Sequence, residues 1–446
     1  MNAPCAQKGD IAARLAGFAT SFRLADAPPE ARAALSLSLL DFAAVALAGA
    51  GEEASRILRE MVLGEGGARE STVIGARGAK VPARAAALTN GTTAHALDYD
   101  DTHFRHIGHL AVVIFPAALA VAEREGANGR AFLEAALIGY EAAAHLGAWL
   151  GRAHYEAGFH QTATSGAFAA TLAAARLLGL GAGEMAQALG LAATRAGGLK
   201  ASFGTMAKPY NAGAAAALGV EAARLAARGF TANPCAVEAF AATHAGVGDE
   251  AALAGLGRDF VLPAISHKYH ACCHGTHAAL DALGEALGEA MGAGVAPEEV
   301  AAVEIATHPR WLDVCNSPAP QSGLEAKFSY AMVAAMRLAG RDTAALASFS
   351  DAACADPALL SLRDKVKVTG DPALPDTAAR VVLRLSSGTA RGAEHDLAAR
   401  QPMAAREARI RAKAAALVGE ARAEGLWQAV RALEEDAPVS RLSGLL

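Results

Sequence analysis

The chain has 446 residues, of which 53% are hydrophobic and 19% charged, and its formal net charge is −5. This mild acidity argues against nucleic acid or an anionic membrane as a partner, and no apolar run reaches the roughly 18 to 20 residues that a membrane span needs. The N-terminal stretch lacks the basic-then-apolar order of a signal peptide, and six cysteines in so long a chain do not form a disulfide framework, so we expect a cytoplasmic protein.

The first 265 residues are predicted to be helical, because apolar residues recur every three to four positions and Gly or Pro separates the segments. No fixed-length repeat is visible, which favours a bundle over a solenoid. The predicted helices span residues 29–49, 110–125, 129–150, 162–179, 183–194 and 211–228.

After about residue 265 the pattern changes to a mixture of helices and alternating strands. We predict helices over 276–292 and 323–339, and more than one helix within 403–434. Strands are predicted over 299–308, 365–369 and 379–386, the last with a hairpin partner. The predicted fold is therefore mostly α, with two domains. A large all-helical domain comprises residues 1–265 and is completed by 401–446, and a smaller α+β domain comprises 266–400.

The segment 90–109, NGTTAHALDYDDTHFRHIGH, holds three aspartates and four of the fourteen histidines between stretches of Ala, Leu and Val. Such a density of acids, bases and hydroxyls is not expected of a core, so the segment predicts an active site. If a helix extended through it, His95, Asp98 and Thr102 would lie on one face because they are three and four residues apart.

Two questions stay open within this segment. Asp100 and Asp101 either take part in the site or only satisfy backbone groups in a turn. His103, His106 and His109 recur every three residues beside these carboxylates, as metal ligands can. No HExxH or paired Cys-x-x-Cys motif accompanies them, so we expect neither a metal nor another cofactor.

Three further polar segments interrupt the Ala-rich helices. His160 and Lys208 each stand at a predicted helix start, where free N–H groups and the helix dipole attract anions. Lys268 opens the histidine-rich segment 268–277, and it is one of only nine lysines in the chain. Histidine transfers protons near neutral pH, and lysine stabilises developing negative charge. The set suits proton transfer beside a carboxylate of a small acid.

Several motifs occur together in an order that resembles the MmgE/PrpD family over nearly the whole chain. These motifs are NGTTAHALDYDDTH, HLAVVIFPAALAVAE, FHQTATSGAFAAT, GTMAKPYNAGAAAALGVEAARLAARGFT, KYHACCHGTHAALDAL and GLEAKFSY. The resemblance implies a large helical domain with a smaller α+β domain, usually in a homodimer, and a reaction without metal. Its known members act on 2-methylcitrate, cis-aconitate or iminodisuccinate.

The resemblance also implies site residues at matching positions of this chain. The implied catalytic residues are Asp98, Thr102, His109, His160, Lys208 and Lys268. The neighbouring residues expected to bind the substrate are His103, His106, Tyr269 and His277.

The chain departs from the family pattern around this predicted pocket. Leu110 follows His109 where proline is common, and Asn211 stands where many members have histidine. His270 and Ala271 replace an aromatic residue and a proline, and the segment before His109 is one residue longer. These differences bear on the substrate more than on the class of reaction.

The leading functional hypothesis is a lyase that acts on a small di- or tricarboxylate. Dehydration of the 2-methylcitrate type is favoured over decarboxylation of the cis-aconitate type. The alternative is an epimerase of an aminodicarboxylate such as iminodisuccinate. A metal-dependent hydrolase and a binding protein without catalysis are the less favoured hypotheses.

Overall fold

The computed structural model describes residues 11–292 and 296–446. The chain divides into two compact units: the first ends at His267 and resumes at Met403, and the second spans Lys268–Pro402. The predicted boundaries lie at residues 265 and 400. Helices dominate the first unit and a small mixed sheet is confined to the second, apart from one two-stranded ribbon. The predicted fold class is confirmed.

The amino-terminal part of the first unit is a stack of Ala-rich helices with a two-residue ribbon between the third and the fourth. Its elements are α1 Ile11–Ser21, α2 Pro29–Gly49, α3 Glu53–Glu65, β1 Ser71–Thr72, β2 Lys80–Val81, α4 Ala83–His95, α5 Ala111–Glu125, α6 Gly129–Glu156, α7 Gln161–Leu177, α8 Ala182–Ala193, α9 Ala207–Ala226 and α10 Ala236–Thr243.

The second unit places helices against a four-stranded sheet. Its elements are α11 His277–Gly292, β3 Val300–Thr307, α12 Leu312–Cys315, α13 Gly323–Ala326, α14 Tyr330–Leu338, α15 Asp351–Cys354, α16 Pro357–Arg363, β4 Val366–Gly370, β5 Ala378–Leu385 and β6 Ala390–Asp396. The strand order is β4-β3-β5-β6, with β3 and β4 parallel and the other pairs antiparallel. Alternate residues such as Val303, Ile305 and Val381 are buried in one core with α11 and α14.

Three further helices, α17 Met403–Val418, α18 Glu420–Glu434 and α19 Ser440–Ser443, complete the first unit. The predicted helices within 403–434 are α17 and α18, which are separated at Gly419, whose φ of 84° is left-handed. The predicted helix 323–339 is divided, because the Ser329 side chain caps α14 by accepting from Met332 N–H.

Helix α9 begins at Ala207, four residues earlier than predicted. Pro209 lies within its first turn, where a missing N–H costs nothing. Helix α9 packs closely on α4 through Gly91 and Gly213. A Cβ at Gly91 would lie 2.8 Å from the Gly213 Cα, so a larger residue would force the two helices apart. This contact fixes the end of α4 relative to the start of α9.

Helix α2 is long and apolar enough to cross a membrane, but 78% of its most apolar stretch is buried inside the protein. That burial is typical of a core helix. Its Asp41 carboxylate pairs with Lys413 of α17 at 2.5 Å, and both side chains are 1% exposed. The Lys413 ammonium also donates to the Tyr99 carbonyl at 2.6 Å, which ties the carboxyl-terminal part to the segment after α4.

Among the described cysteines, Cys272, Cys273, Cys315 and Cys354 are free thiols. The cytoplasmic location stays a prediction.

Candidate active site

The segment that follows α4 does not continue the helix. α4 ends at His95, and Asp98 adopts a left-handed conformation with φ of 50°. Aspartate tolerates this region better than most residues. The prediction that His95, Asp98 and Thr102 share a helix face is therefore wrong, because the chain turns before Thr102 is reached.

Asp100 lies between two imidazole rings. Its Oδ1 is 2.9 Å from His95 Nδ1 and its Oδ2 is 2.8 Å from His109 Nδ1, and the Asp100 side chain is fully buried. An ionised carboxylate can only accept hydrogen bonds, so each ring donates its Nδ1–H. In the neutral form of either ring, Nε2 then carries a lone pair.

Asp98 and Lys208 form an ion pair beside His109. The Lys208 Nζ is 2.7 Å from Asp98 Oδ2, and His109 Nε2 is 3.5 Å from Asp98 Oδ1. The ammonium also lies 5.1 Å from the centre of the Phe203 ring. Lys208 is in the first turn of α9, so its charge adds to the positive end of that helix.

His160 approaches the same cluster from the start of α7, where it occupies the N-cap position. Its backbone N–H donates to the Gly198 carbonyl at 2.9 Å. Its Nδ1 lies 3.4 Å from the Asn211 amide nitrogen. An amide NH2 only donates, so Nδ1 accepts and the ring proton is on Nε2. His160 thus has the opposite tautomer to His109.

Burial sets the protonation states of the cluster. It raises the pKa of Asp100, but the charges and N–H groups of His109 and His95 outweigh it and hold that pKa well below its usual range. Burial lowers the pKa of His109 to about 4, although Asp100 opposes the shift. Burial, His95 and Lys208 hold the pKa of His160 well below its usual value. Near neutral pH, Asp100 is ionised and His109 and His160 are neutral bases or donors.

Asp101 has a structural role, in contrast to Asp100. Its Oδ1 accepts from Ala111 N–H at 3.0 Å at the start of α5, and its Oδ2 accepts from Tyr140 Oη at 2.9 Å. Burial raises its pKa to about 7, despite the hydrogen bond from Ala111. The sequence left open whether Asp100 and Asp101 take part in the site or satisfy backbone groups. In the structure Asp101 bonds to the backbone at the start of α5, and Asp100 belongs to the cluster.

His103 and His106 bond to backbone carbonyl groups instead of facing the Asp98 cluster. His103 Nε2 is 3.0 Å from the Val261 oxygen, and His106 Nδ1 is 3.0 Å from the Ala143 oxygen. Both rings are buried, which lowers the pKa of His103 to about 4 and that of His106 to about 3. Each ring is thus held by a backbone carbonyl, and the predicted part of the two residues in substrate binding stays a prediction.

Thr102 joins the segment to Ser266 through two backbone hydrogen bonds of 2.8 Å. Its hydroxyl lies 3.5 Å from the Ser266 carbonyl, at the limit of a hydrogen bond. Thr162, which the sequence did not single out, accepts from the His109 N–H at 3.0 Å. Thr162 therefore positions His109, whereas Thr102 holds the segment in place.

The remaining predicted site residues, Lys268, Tyr269 and His277, belong to the second unit. Lys268 and His277 are buried, and Tyr269 is half-buried. His277 begins α11, and its Nε2 is 3.3 Å from the Cys272 carbonyl. Burial, followed by His274 and His270, holds the pKa of His277 well below its usual value. Their predicted part in the reaction stays a prediction.

The donor atoms of His95, Asp98, Asp100 and His109 lie within 4.8 Å of one another, and such a group could hold a metal ion. The present contacts of these donors favour protons over a metal. Both Asp100 oxygens accept N–H groups, and Asp98 is paired with the ammonium of Lys208. A cation would have to compete with that ammonium.

His95 and Asp100 were not among the predicted site residues, although His95 was grouped with Asp98 and a site role for Asp100 was left open. The motif H-x-x-x-x-D places them five residues apart, which fits no single face of a helix or strand. They meet only because α4 ends between them. Their signal in the sequence was the density of titratable groups, and it did not distinguish Asp100 from Asp101.

The arrangement places a buried carboxylate between two imidazoles, beside the Lys208–Asp98 pair, with His160 and Lys208 at the starts of α7 and α9. Such a group can exchange protons and attract an anion. The MmgE/PrpD N-terminal domain matches residues 13–250 and the MmgE/PrpD C-terminal domain matches 270–435. The chain belongs to the MmgE/PrpD family.

Curated relatives of the chain carry the name cis-aconitate decarboxylase. A cis-aconitate decarboxylase-like protein of Aspergillus oryzae is 29% identical over 303 residues, 62% of this chain and 61% of that protein. The cis-aconitate decarboxylase of Aspergillus terreus is 30% identical over 294 residues, 62% and 60% of the two chains. The human cis-aconitate decarboxylase is 32% identical over 168 residues, 36% and 35%. The match spans about three fifths of the two fungal relatives.

Proposed function

We propose that the chain is a lyase that moves a proton next to a carboxylate of a small di- or tricarboxylic acid. The observation that carries this proposal is the position of the Lys208 ammonium, 2.7 Å from Asp98, whose other oxygen is 3.5 Å from His109 Nε2. A cation for a substrate carboxylate thus adjoins a neutral imidazole with an available lone pair.

In this proposal the two imidazoles divide the acid and base roles by their tautomers. His109 Nε2 accepts a proton, and His160 Nε2–H donates one. In a dehydration, His109 takes the proton from carbon and His160 protonates the departing hydroxide. In a decarboxylation, loss of CO2 leaves an electron pair on carbon, which takes the proton of His160. Lys208 stabilises the negative charge that forms in either case.

The names of the relatives favour decarboxylation of a cis-aconitate-like acid, whereas the sequence alone favoured dehydration. Asn211, which stands where many family members have histidine, bears on the choice between decarboxylation and dehydration because its amide contacts His160. A substrate of few carbon atoms with two or three carboxylates fits the small cationic centre at Lys208. The homodimer implied by the resemblance is part of the proposal, as is the absence of a cofactor.

The test is turnover by the purified chain of cis-aconitate, 2-methylcitrate and an aminodicarboxylate in deuterated water. Release of CO2 identifies a decarboxylase, and formation of an unsaturated acid without CO2 identifies a dehydratase. Deuterium exchange at the α-carbon without net elimination identifies an epimerase and refutes the lyase. Failure to turn over any polycarboxylate refutes the whole proposal. The Lys208→Met variant is the control for contaminating activity.

A further inference from the structure

His95 is the imidazole of the cluster that has no part in the function proposed above. It is the last residue of α4 and is 1% exposed. Its Nδ1 is 2.9 Å from Asp100 Oδ1, the carboxylate that also receives His109. Asp100 therefore accepts Nδ1–H from both rings and orients His95 in the same way as His109.

The Nε2 atom of His95 is buried and has no hydrogen-bond partner among the described residues. Buried polar atoms are rarely left in this state, because an unmade hydrogen bond costs free energy. His106 and His145 also have such an Nε2, but their Nδ1 atoms bond to backbone carbonyls. His95 differs because a carboxylate holds its ring beside other titratable groups.

The neighbours of the His95 ring place it inside the acid–base cluster. Its centre is 4.6 Å from that of His109, edge to face, and 6.0 Å from that of His160, stacked. His95 thus lies between the two imidazoles to which the reaction is assigned.

We propose that His95 is a further catalytic residue, whose Nε2 accepts a hydrogen bond from an O–H group of the substrate. The proton stays on that oxygen, so His109 remains the base and His160 the acid, and Asp100 holds the His95 ring in place through Nδ1–H. This inference rests on the proposed function, since it assigns His95 to the same site and the same class of substrate.

The variant His95→Asn separates this role from a positioning role. The Asn side chain offers an N–H to Asp100 near the place of Nδ1–H, but it has no atom that replaces Nε2. We expect a fall in kcat of about 100-fold, a KM within about threefold, and an unchanged melting temperature. Wild-type kcat in His95→Asn would overturn the inference, because it would show that only the contact with Asp100 matters.

Histidine tautomers give a second test that does not require turnover. In the ¹⁵N spectrum of the histidine-labelled chain, the signals missing from His95→Asn belong to His95. We expect a protonated Nδ1 and an unprotonated Nε2 near neutral pH, and a protonated Nε2 would overturn the inference. Inactivity of the wild-type chain toward every polycarboxylate would instead refute the proposed function and leave the tautomer measurement standing.

Discussion

The ammonium of Lys208 lies 2.7 Å from the carboxylate of Asp98, although the two residues are 110 positions apart in the chain. Asp98 follows the end of α4 and Lys208 is in the first turn of α9. The close contact of these helices at Gly91 and Gly213 brings their ends together. In the proposed reaction, a substrate carboxylate exchanges places with Asp98 on the ammonium.

Asp98→Asn is expected to reduce kcat/KM by about 100-fold or more, because it removes the charge that pairs with Lys208 and adjoins His109. Asparagine also tolerates the left-handed backbone, so the melting temperature should change by less than about 2 °C. Steady-state kinetics and thermal unfolding measure the two effects. The matched control is Asp436→Asn, at another left-handed aspartate with φ of 71°, and it should retain wild-type activity. Equal losses in both variants would contradict the assignment.

Lys208→Met should raise KM for a polycarboxylate and lower kcat, since the ammonium both attracts the substrate and stabilises the developing charge. Lys208→Arg keeps the positive charge but replaces the ammonium with a planar guanidinium. Its KM should therefore lie between those of the wild type and Lys208→Met, and its kcat should stay close to that of Lys208→Met. The control is Lys367→Met at an exposed lysine of the second unit. Unchanged kinetics in Lys208→Met would remove Lys208 from the site.

How much of this site the sequence predicts depends on how local each contact is. His160 and Lys208 were found because helix starts leave a local signature of polar residues before an Ala-rich run. Asp98 and His109 were found through the density of titratable groups and the family resemblance. Asp100 was not separated from Asp101, because their roles depend on which residue faces α5 and which faces His95.

The helices and strands were predicted better than the break within the predicted helix 323–339. Periodic apolar residues identify helices such as α7 and strands such as β5 directly. The break before α14 depends on a single cap at Ser329, which does not disturb the apolar period enough to be seen. The hydrogen bonds of His103 and His106 to backbone carbonyls were not predicted, because they depend on how segments distant in the sequence pack.

His106→Gln should weaken the dependence of stability on pH. Burial lowers the pKa of His106 to about 3 in the folded chain, against about 6.5 when unfolded. Between these values the unfolded state binds the extra proton, so His106 makes stability fall as pH decreases from about 6.5 toward 3, by about 1.4 kcal/mol per unit. Gln can still donate to the Ala143 carbonyl but does not titrate.

The measurement is the free energy of unfolding in urea at pH 7 and at pH 5 for the wild type and for His106→Gln. The variant should lose less stability between the two values than the wild type does. An equal loss in wild type and His106→Gln would show that this ring is not held neutral.

Lys413→Met should destabilise the first unit by about 3 to 5 kcal/mol, because it leaves the Asp41 carboxylate buried without its partner. The double variant Lys413→Met with Asp41→Leu removes both charges and should recover most of the loss. Urea unfolding measures each value. A double variant as unstable as Lys413→Met would show that the bond to the Tyr99 carbonyl, rather than the ion pair, carries the stability.

Exhaustive dialysis against a chelator should leave turnover unchanged, because the donors of the His95–Asp98–Asp100–His109 group are satisfied by protons and by the Lys208 ammonium. Elemental analysis of the purified chain before dialysis measures any bound metal directly. Loss of activity that a divalent cation restores would contradict the proposed proton-transfer site and assign the group to metal binding.

The contact between Lys413 and Tyr99 also has a consequence for the order of events during synthesis. Asp98, Tyr99 and Asp100 leave the ribosome more than 300 residues before Lys413 does. Until α17 has been made, Asp41 has no cation and the Tyr99 carbonyl lacks the ammonium that holds it. A nascent chain stopped after the first 267 residues would contain Asp98, His109, His160 and Lys208. It would lack Lys413, which holds the segment that carries Asp98 and His109.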